Sequence, residues 1–359
     1  MVMKKVRLGV IGCGIMGPRH LNAAMKTGLY ELVAVADPVE ERVRKAAQDY
    51  GVKKSYLDGA ALLEDQDVEA VILALPTNVR TKLALKAFAN GIHVLNEKPV
   101  AMNAVEARQL IKARKKLIAG CCSSRFRFLP GNEAAADFIA SGALGNLRMV
   151  HCRCIIAADP KPEKSPPAWR LIKALNGGGI LVNWGCYDMD FLLGITGWTV
   201  KPEVVLAQTW KVPPVFEPNV ASGSDAETYY TALIRCAGGV VLSMERGEYM
   251  PAQNDRGWHI VGTKGSLTLN MASGAPKKLI FDEGSTEKGV VSKVIWEGEE
   301  SSELLISGPV KDFALAIREK RQPRTSLENA FVVQAITDAI YLSAEQNKAV
   351  KINLKGIKS

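Results

Sequence analysis

The residues best suited to bind a reactive group early in the chain form a glycine-rich run, residues 12–17, with the sequence GCGIMG. The run follows an apolar segment that predicts a β-strand, and it opens a segment that predicts a helix. In that context the first glycine permits a tight turn, the second lets the backbone approach a pyrophosphate, and the third lets helix and strand pack closely. The N-terminus of the helix supplies N–H groups to the anion. The predicted dinucleotide contacts are Gly12, Gly14, Ile15, Met16 and Gly17.

An acidic residue stands where a dinucleotide site needs one. Asp37 follows Gly17 by 20 residues, at the end of the next predicted strand, where its carboxylate can accept a hydrogen bond from a ribose 2′-hydroxyl. Its negative charge would repel a 2′-phosphate, so NAD is the expected cofactor and NADP is less favoured. Arg42 lies one helical turn further on and is the opposing observation, but directly after Glu40 and Glu41 it is more simply explained as a solvated ion-pair partner.

The elements that must position these residues change in character along the chain. Up to about residue 125, short β-branched runs alternate with helical patterns, which is typical of a parallel sheet with crossover helices. After a predicted helix over 132–140, strand-like segments follow one another without intervening helices and predict a mostly antiparallel sheet. These segments are residues 147–156, 204–210, 227–236, 240–246, 257–262 and 266–270. The expected domains are therefore an α/β domain over 1–125, an α+β sheet domain over 126–309 and C-terminal helices with a tail over 310–359.

Composition and charge exclude several classes of protein. Of the 359 residues, 47% are hydrophobic and 23% charged, which excludes a disordered chain, and the length favours two domains because single cores rarely exceed about 250 to 300 residues. No apolar run reaches the roughly 18 residues of a membrane-spanning helix, and the early glycines suit a turn better than a signal peptide. We therefore expect a cytoplasmic protein that does not bind a membrane. The net charge of +9 comes from scattered lysines and arginines, which favours anionic small molecules over nucleic acid. Seven cysteines without paired CxxC units predict no disulfide framework and no metal site.

Several motifs follow one another along the chain. They are the glycine loop followed by His20, Glu97-Lys98-Pro99, Arg125-Phe126, Trp169-Arg170, three glycines at 177–179 and residues 262–266. Through these motifs the chain resembles, over nearly its whole length, the glucose-fructose oxidoreductase/inositol dehydrogenase (Gfo/Idh/MocA) family. The resemblance implies a Rossmann domain, an open-faced, mostly antiparallel sheet domain that carries substrate contacts, and C-terminal helices that return to the first domain. It also implies reversible hydride transfer between nicotinamide and a secondary alcohol carbon of a sugar, cyclitol or related polyol, and assembly into a homodimer or homotetramer.

The resemblance also assigns the expected catalytic residues. The family lysine that matches Lys98 contacts the reacting oxygen, where an ammonium stabilises the charge that develops as hydride leaves. The family segment GGGxLxDxGxH carries its Asp and His four residues apart, and here Asn183 and Tyr187 take those places on one helix face. Tyrosine is a weaker base than histidine at neutral pH, but a cation about 4 Å away would lower a phenol's pKa by up to about 3 units. The expected catalytic set is therefore Lys98, Tyr187 and Asn183.

Further roles follow from the same resemblance. Cofactor contacts are expected at Pro76 and Glu97, and substrate contacts at Trp169, Arg170 and Arg125. The tryptophan ring offers an apolar face for a sugar, and a guanidinium binds hydroxyls or a carboxylate, although both arginines suit ion pairs equally well. No metal is expected, because Lys98 already supplies a positive charge.

Three charged residues and two other activities remain open at this point. The roles of Arg80, Asp188 and Asp190 are not assigned: Arg80 could contact a cofactor phosphate or solvent, and Asp190 could be structural. The alternative activities are a glycosidase-like enzyme in which NAD is oxidised and reduced within one cycle, and a non-catalytic dinucleotide-sensing regulator.

Overall fold

The computed structural model describes residues 4–163, 167–272 and 277–355. The chain forms two compact units. Of the described residues, the first unit combines those up to Arg125 with Glu303–Gln334, and the second combines Phe126–Ser302 with those from Ala335 onward. No helix in the described ranges combines the length and the apolar character that crossing a membrane requires.

The first unit contains a six-stranded sheet in which every pair of neighbouring strands is parallel. Its strands are β1 (Val6–Ile11), β2 (Tyr30–Ala36), β3 (Lys54–Tyr56), β4 (Ala70–Leu73), β5 (His93–Asn96) and β6 (Ala119–Cys121). The helices between them are α1 (Met16–Thr27), α2 (Glu40–Tyr50), α3 (Gly59–Leu62), α4 (Thr77–Ala89) and α5 (Ala104–Arg114). The strand order β3-β2-β1-β4-β5-β6 reverses direction between β1 and β4, which is where doubly wound sheets bind ligands.

The second unit is built on a nine-stranded sheet. It begins with α6 (Pro130–Ala140), β7 (Leu147–Ala157), α7 (Lys173–Asn176) and α8 (Cys186–Ile195). Seven strands follow, namely β8 (Pro202–Trp210), β9 (Tyr229–Cys236), β10 (Val241–Met250), β11 (Asp255–Gly262), β12 (Gly265–Leu269), β13 (Lys277–Ser285) and β14 (Gly289–Gly298). With the short C-terminal β15 (Val350–Lys351), the order is β14-β13-β12-β11-β7-β10-β9-β8-β15. Within this nine-stranded sheet only the β7/β10 pair of described strands is parallel, so the predicted mostly antiparallel sheet is confirmed.

The prediction that the strand segments follow one another without helices is wrong between β7 and β8. A π-helical turn over Leu181–Gly185 continues directly into α8. Nearly every residue of this stretch is buried, so it carries no alternation of apolar and polar positions from which a helix could be recognised. The predicted segments also end before β13 and β14. Of these two strands, β14 is largely exposed along its length and shows no regular alternation.

Two long helices complete the fold, α9 (Leu304–Glu319) and α10 (Leu327–Gln346). Within the first unit, α9 contributes Val310 and Phe313 to the hydrophobic core that β1 and α1 form. The hydroxyl of Tyr30 in β2 donates to the Val310 carbonyl oxygen at 2.6 Å, so the buried phenol is satisfied by the same helix. The core of the first unit therefore includes chain from both ends of the sequence.

Candidate active site

The glycine loop joins β1 to α1 at the reversal of strand order. Gly12 has a φ of +98°, in the left-handed region that favours glycine, and a Cβ at Gly17 would clash with the Gly12 carbonyl oxygen. At Gly14 a Cβ would meet no atom within 4 Å, so the backbone there is open to a ligand, and Ile15 is 73% exposed. An open backbone that leads into a helix N-terminus fits the pyrophosphate of a dinucleotide.

Asp37 is built into the same loop. Its carboxylate is almost fully buried and accepts hydrogen bonds from two main-chain N–H groups, that of Cys13 at 2.7 Å to Oδ2 and that of Val39 at 2.9 Å to Oδ1. These bonds fix the orientation of the carboxylate beside the glycine loop. Each oxygen keeps a further lone pair that a ribose hydroxyl can use.

A buried ionic network lies around Glu97. Its Oε1 lies 2.8 Å from His20 Nε2 and accepts a hydrogen bond from Arg125 Nη2 at 2.7 Å, while Oε2 accepts the main-chain N–H of Lys98 at 3.0 Å. Burial by itself would raise the pKa of Glu97, but Arg125, His20 and Lys98 together hold that pKa well below its usual range. Arg125, expected at the substrate, thus forms an ion pair with Glu97, and its substrate role stays a prediction.

The same network contains the one group of potential metal ligands found among the described residues. Atoms of His20, Glu97 and Cys122 lie within 4.8 Å of one another. However, the Arg125 guanidinium already bonds the Glu97 carboxylate, and burial, followed by the charge of Glu97, raises the pKa of the Cys122 thiol well above its usual value. A neutral thiol beside a guanidinium disfavours a cation. All seven cysteines are free and buried.

Arg80 supports the main chain that leads to Lys98. Its side chain is fully buried, so the solvent-exposed alternative is wrong. The guanidinium donates to the Glu97 carbonyl oxygen and, at 2.9 Å, to Thr77 Oγ1. Lys98 itself is half-buried and follows the carboxyl end of β5, while Pro76 precedes α4 after the neighbouring strand β4. Carboxyl ends of parallel strands are where such sheets place ligand contacts.

In the second unit, Glu227 fixes the start of the helical segment that carries the other two predicted catalytic residues. Its carboxylate accepts the N–H groups of Gly179 and Leu181, each at 3.0 Å, and the Tyr341 hydroxyl at 2.8 Å. Burial raises the pKa of Glu227 despite these bonds. A Cβ at Gly179 would clash with the Glu227 carbonyl oxygen, so glycine is required for this close approach.

Tyr187 and Asn183 lie on this segment. Tyr187 is 5% exposed, and its ring packs edge-on against Phe126 and Trp184 with centroid separations of 5.2 and 5.7 Å. The Asn183 amide donates to the Arg170 carbonyl oxygen at 3.2 Å and accepts from Asn176 Nδ2 at 3.2 Å. Asn183 therefore connects the helix to the segment that contains Trp169 and Arg170. This structural role is not part of the prediction, which assigns Asn183 to catalysis only.

The two unassigned aspartates anchor α8. Asp188 is fully buried and pairs with both Arg246 Nε, at 2.5 Å, and Arg246 Nη2, at 2.8 Å, and it also accepts from Trp258 Nε1 at 3.2 Å. Asp190 pairs with Arg127 at 2.7 Å. Both carboxylates thus hold the helix of Tyr187 in place through buried ion pairs, which agrees with a structural role for Asp190.

A carboxylate that was not predicted from the sequence as a site residue lies beside Arg170. Glu248, at the end of β10, forms an ion pair with the Arg170 guanidinium and is 8% exposed. Trp169, in the same 3₁₀ turn as Arg170, is 43% exposed. A signal for Glu248 existed in the sequence, because Leu242 and Met244 set the inward-facing register of β10 and Glu248 continues it with a charge at a buried position.

The predicted site residues thus fall into one group in each unit. The first unit holds the glycine loop, Asp37, Pro76, Glu97, Lys98 and Arg125. The second unit holds Trp169, Arg170, Asn183 and Tyr187.

Comparison with known proteins identifies the family. Residues 6–121 match the sequence model described as "Oxidoreductase family, NAD-binding Rossmann fold", and residues 132–268 match the "GFO/IDH/MocA C-terminal domain". The chain belongs to the Gfo/Idh/MocA family of NAD-binding oxidoreductases, as its motifs predicted.

Individual relatives are distant. The chain is 31% identical to the rhizopine catabolism protein MocA of Rhizobium meliloti over 54% of this chain and 58% of that protein. It is 25% identical to myo-inositol 2-dehydrogenase of Thermotoga maritima over 97% of this chain and 98% of that one. A solved structure of levoglucosan dehydrogenase in complex with NADH and L-sorbose superposes with a TM-score of 0.83 at 23% identity, covering 98% of this chain and 99% of that one. This last similarity shows the shared fold.

Proposed function

We propose that the chain is an NAD-dependent dehydrogenase that moves hydride between nicotinamide and a secondary alcohol or ketone carbon of a sugar, cyclitol or related polyol. The observation that carries the proposal is the buried Glu97 network, which fixes the main chain of Lys98 at the carboxyl end of β5 in an NAD-binding family. Relatives named for inositol and levoglucosan support the substrate class. The charge of Asp37 supports NAD over NADP.

The residues of the chain would handle the oxygen and its proton, while bound NAD supplies the hydride acceptor. We assign Lys98 to the reacting oxygen, where its ammonium stabilises the negative charge that develops as hydride leaves carbon. Tyr187 takes the hydroxyl proton in oxidation and returns it in reduction. The caps and ion pairs of Glu227, Asp188 and Asp190 hold the Tyr187 helix so that little reorganisation accompanies the step.

A homodimer or homotetramer forms part of the proposal. One face of the nine-stranded sheet carries a row of paired residues that runs from Leu206 through Leu233 to Val294, and these three side chains are 52%, 53% and 54% exposed. The apolar residues lie at the two ends of this row, with serine, histidine and threonine side chains between them. Exposed apolar side chains at these ends favour covering by another protein surface. Light scattering coupled to size exclusion tests this part, and a monomeric mass contradicts it.

The reaction is tested in two stages on one preparation. NADH and NADPH are titrated by fluorescence, and absorbance at the nicotinamide band is then followed with a panel of polyols, cyclitols, uronates and keto-sugars. Lys98→Met and Tyr187→Phe should lose turnover and still bind NADH. The matched controls are Lys86→Met, a half-buried lysine paired with Glu64, and Tyr229→Phe, whose hydroxyl bonds Glu245. Both controls should keep turnover.

The other outcomes discriminate between functions. NADH binding without net turnover on any compound, but with cleavage of a glycoside, replaces the proposal with the internal-redox glycosidase. Binding with neither reaction replaces it with a dinucleotide sensor, and absence of NADH binding contradicts all three.

A further inference from the structure

The ion pair between Arg170 and Glu248 leaves one carboxylate oxygen unused. Arg170 Nη2 bonds Glu248 Oε2, whereas Glu248 Oε1 is buried and has no hydrogen-bond partner among the described residues. Glu248 is largely shielded from solvent, with 8% of the residue and 11% of its side chain exposed. A buried carboxylate oxygen without a donor is costly, and in native structures it points to a ligand, a water or a functional role.

The backbone that aims this carboxylate is irregular. The pairing of β10 with β7 shifts register between Gly247 and Met250, so Glu248 and Tyr249 lie in a bulge. Tyr249 has a φ of +56°, in the left-handed region that a bulky residue rarely adopts. Bulges re-aim side chains and occur next to active sites, and local strain of this kind concentrates at functional positions. The bulge therefore provides a second observation, independent of the unpaired oxygen.

The charges around Arg170 are already balanced. Its guanidinium is neutralised by Glu248, while the nearby Arg246 is neutralised by Asp188. Glu227 adds a further negative charge close enough to act on Glu248. A ligand carboxylate would therefore meet a compensated guanidinium and two carboxylates. A hydroxyl fits better, because it can donate to Glu248 Oε1 and accept from the guanidinium at the same time.

The neighbouring aromatic residue suits the same ligand. Trp169 adjoins Arg170 in the 3₁₀ turn and leaves 43% of its surface exposed. Aromatic rings offer an apolar face with a polar rim, which matches the C–H face of a polyhydroxylated ring. Asn183 holds this turn through the Arg170 carbonyl oxygen, so the pair and the ring are positioned together.

We propose that Arg170 and Glu248 form a hydroxyl-binding pair that selects neutral polyhydroxylated rings and rejects sugars that carry a carboxylate. The inference rests on the proposed function, because it narrows the substrate class of the same site. It resolves the alternative between hydroxyl and carboxylate recognition at Arg170 in favour of hydroxyls.

The test compares matched ligands on the NADH-loaded full chain at about pH 8. D-glucose with D-glucuronate, and D-galactose with D-galacturonate, differ only at C6, and the dissociation constants are measured by calorimetry. The neutral member of at least one pair should bind about tenfold tighter, as expected for one charge-assisted hydrogen bond gained and one repulsion avoided.

Two variants change the charge of the pair in opposite directions. Glu248→Gln leaves Arg170 uncompensated, so the preference for the neutral sugar should fall about tenfold and uronate binding should improve. Arg170→Gln leaves Glu248 uncompensated, so the uronate should be rejected more strongly. A merely structural role would weaken both sugars alike. Glu245→Gln, on the same strand and paired with Arg153, is the control and should leave the preference unchanged.

The outcomes separate this inference from the proposed function. Selective binding of a neutral sugar without oxidation of any panel compound overturns the dehydrogenase and leaves the inference standing. Turnover combined with equal or tighter binding of uronates overturns the inference, as does a preference that moves in neither variant. Absence of binding by every sugar of both pairs also overturns it. Thermal unfolding of both variants is followed in parallel, and Arg170→Gln provides the test if Glu248→Gln does not fold.

Discussion

The guanidinium of Arg80 donates a hydrogen bond to the main-chain carbonyl oxygen of Glu97, the residue before Lys98. Arg80 is fully buried in α4, and the same group bonds the Thr77 hydroxyl. A planar, permanently charged side chain thus connects the helix after β4 to the end of β5. Arg80 is therefore a positioning residue for Lys98, acting through the main chain.

Arg80→Met should lower kcat about tenfold with little change in the dissociation constant of NADH, because the Lys98 main chain loses a support while the glycine loop is untouched. The free energy of unfolding should fall by about 1–3 kcal/mol, since the Glu97 carbonyl and the Thr77 hydroxyl lose their buried donor. Arg80→Lys keeps the charge without the planar fork and should give an intermediate kcat. Steady-state kinetics check this, with the exposed Arg44→Met as control. An unchanged kcat in Arg80→Met would show that the support is dispensable.

Asn183→Asp, which introduces the residue usual in the family, should lower activity. The Asn183 amide donates to the Arg170 carbonyl oxygen, and a carboxylate would place an acceptor against that acceptor. The Trp169–Arg170 turn should loosen, so KM for substrate should rise about tenfold while NADH binding persists. The measurement is kcat and KM, with Asn329→Asp in α10 as a matched change elsewhere. Increased activity in Asn183→Asp would mean that the family carboxylate is the better group here.

Asp37→Asn should shift cofactor preference. Removal of the negative charge relieves its repulsion of a 2′-phosphate, so the ratio of the NADPH to the NADH dissociation constant should fall about tenfold. Both affinities should weaken, because the amide cannot accept both the Cys13 and the Val39 N–H groups. Fluorescence titration gives the ratio directly, and Asp49→Asn in α2 is the control. A constant ratio would remove Asp37 from cofactor discrimination.

The pH dependence of stability should reveal Glu97. Arg125, His20 and Lys98 outweigh burial and hold its pKa well below its usual range, so the folded protein binds fewer protons at this site than the unfolded chain. The resulting stability is present above the unfolded pKa of about 4.3 and is lost as the pH falls through the lowered folded pKa. The melting temperature of Glu97→Gln should therefore lie furthest below that of the parent protein near neutral pH. This difference in melting temperature should shrink below about pH 4.

Glu227 provides a comparison of opposite sign. Burial raises its pKa, so the stability associated with its proton is present below the unfolded pKa and is lost as the pH rises through the raised folded pKa. Relative to the parent protein, Glu227→Gln should become more stable as the pH rises, whereas Glu97→Gln should become less stable. If the stability of both variants, relative to the parent protein, changed with pH in the same direction, the opposite pKa shifts of Glu97 and Glu227 would both be contradicted.

Much of the first unit can be predicted from the sequence, because the patterns that indicate its strands, helices and turns span only short stretches of chain. The glycine loop and Asp37 lie within 26 consecutive residues, and their types follow from one turn, one helix start and one strand end. The strands β1, β2 and β4 and the helices between them also follow from short-range periodicity. The helix of Tyr187 does not follow from periodicity, because a segment buried on all sides carries no periodic pattern. Only the family resemblance implied that Asn183 and Tyr187 lie on a helix face.

The partners of charged residues were decided only by the tertiary structure. The sequence supplied Arg125, Arg170 and Arg80 as candidate contacts, but Arg125 meets Glu97 across 28 residues and Arg170 meets Glu248 across 78. No local pattern encodes such pairs, because burial makes each charge dependent on a partner brought to it by the packing of separate elements. The sequence by itself determined which chemical groups are available and where the glycine turn lies that is predicted to bind the dinucleotide. The fold decided which charges are compensated, and it left Glu248 Oε1 among the buried polar atoms that have no hydrogen-bond partner in the described part of the chain.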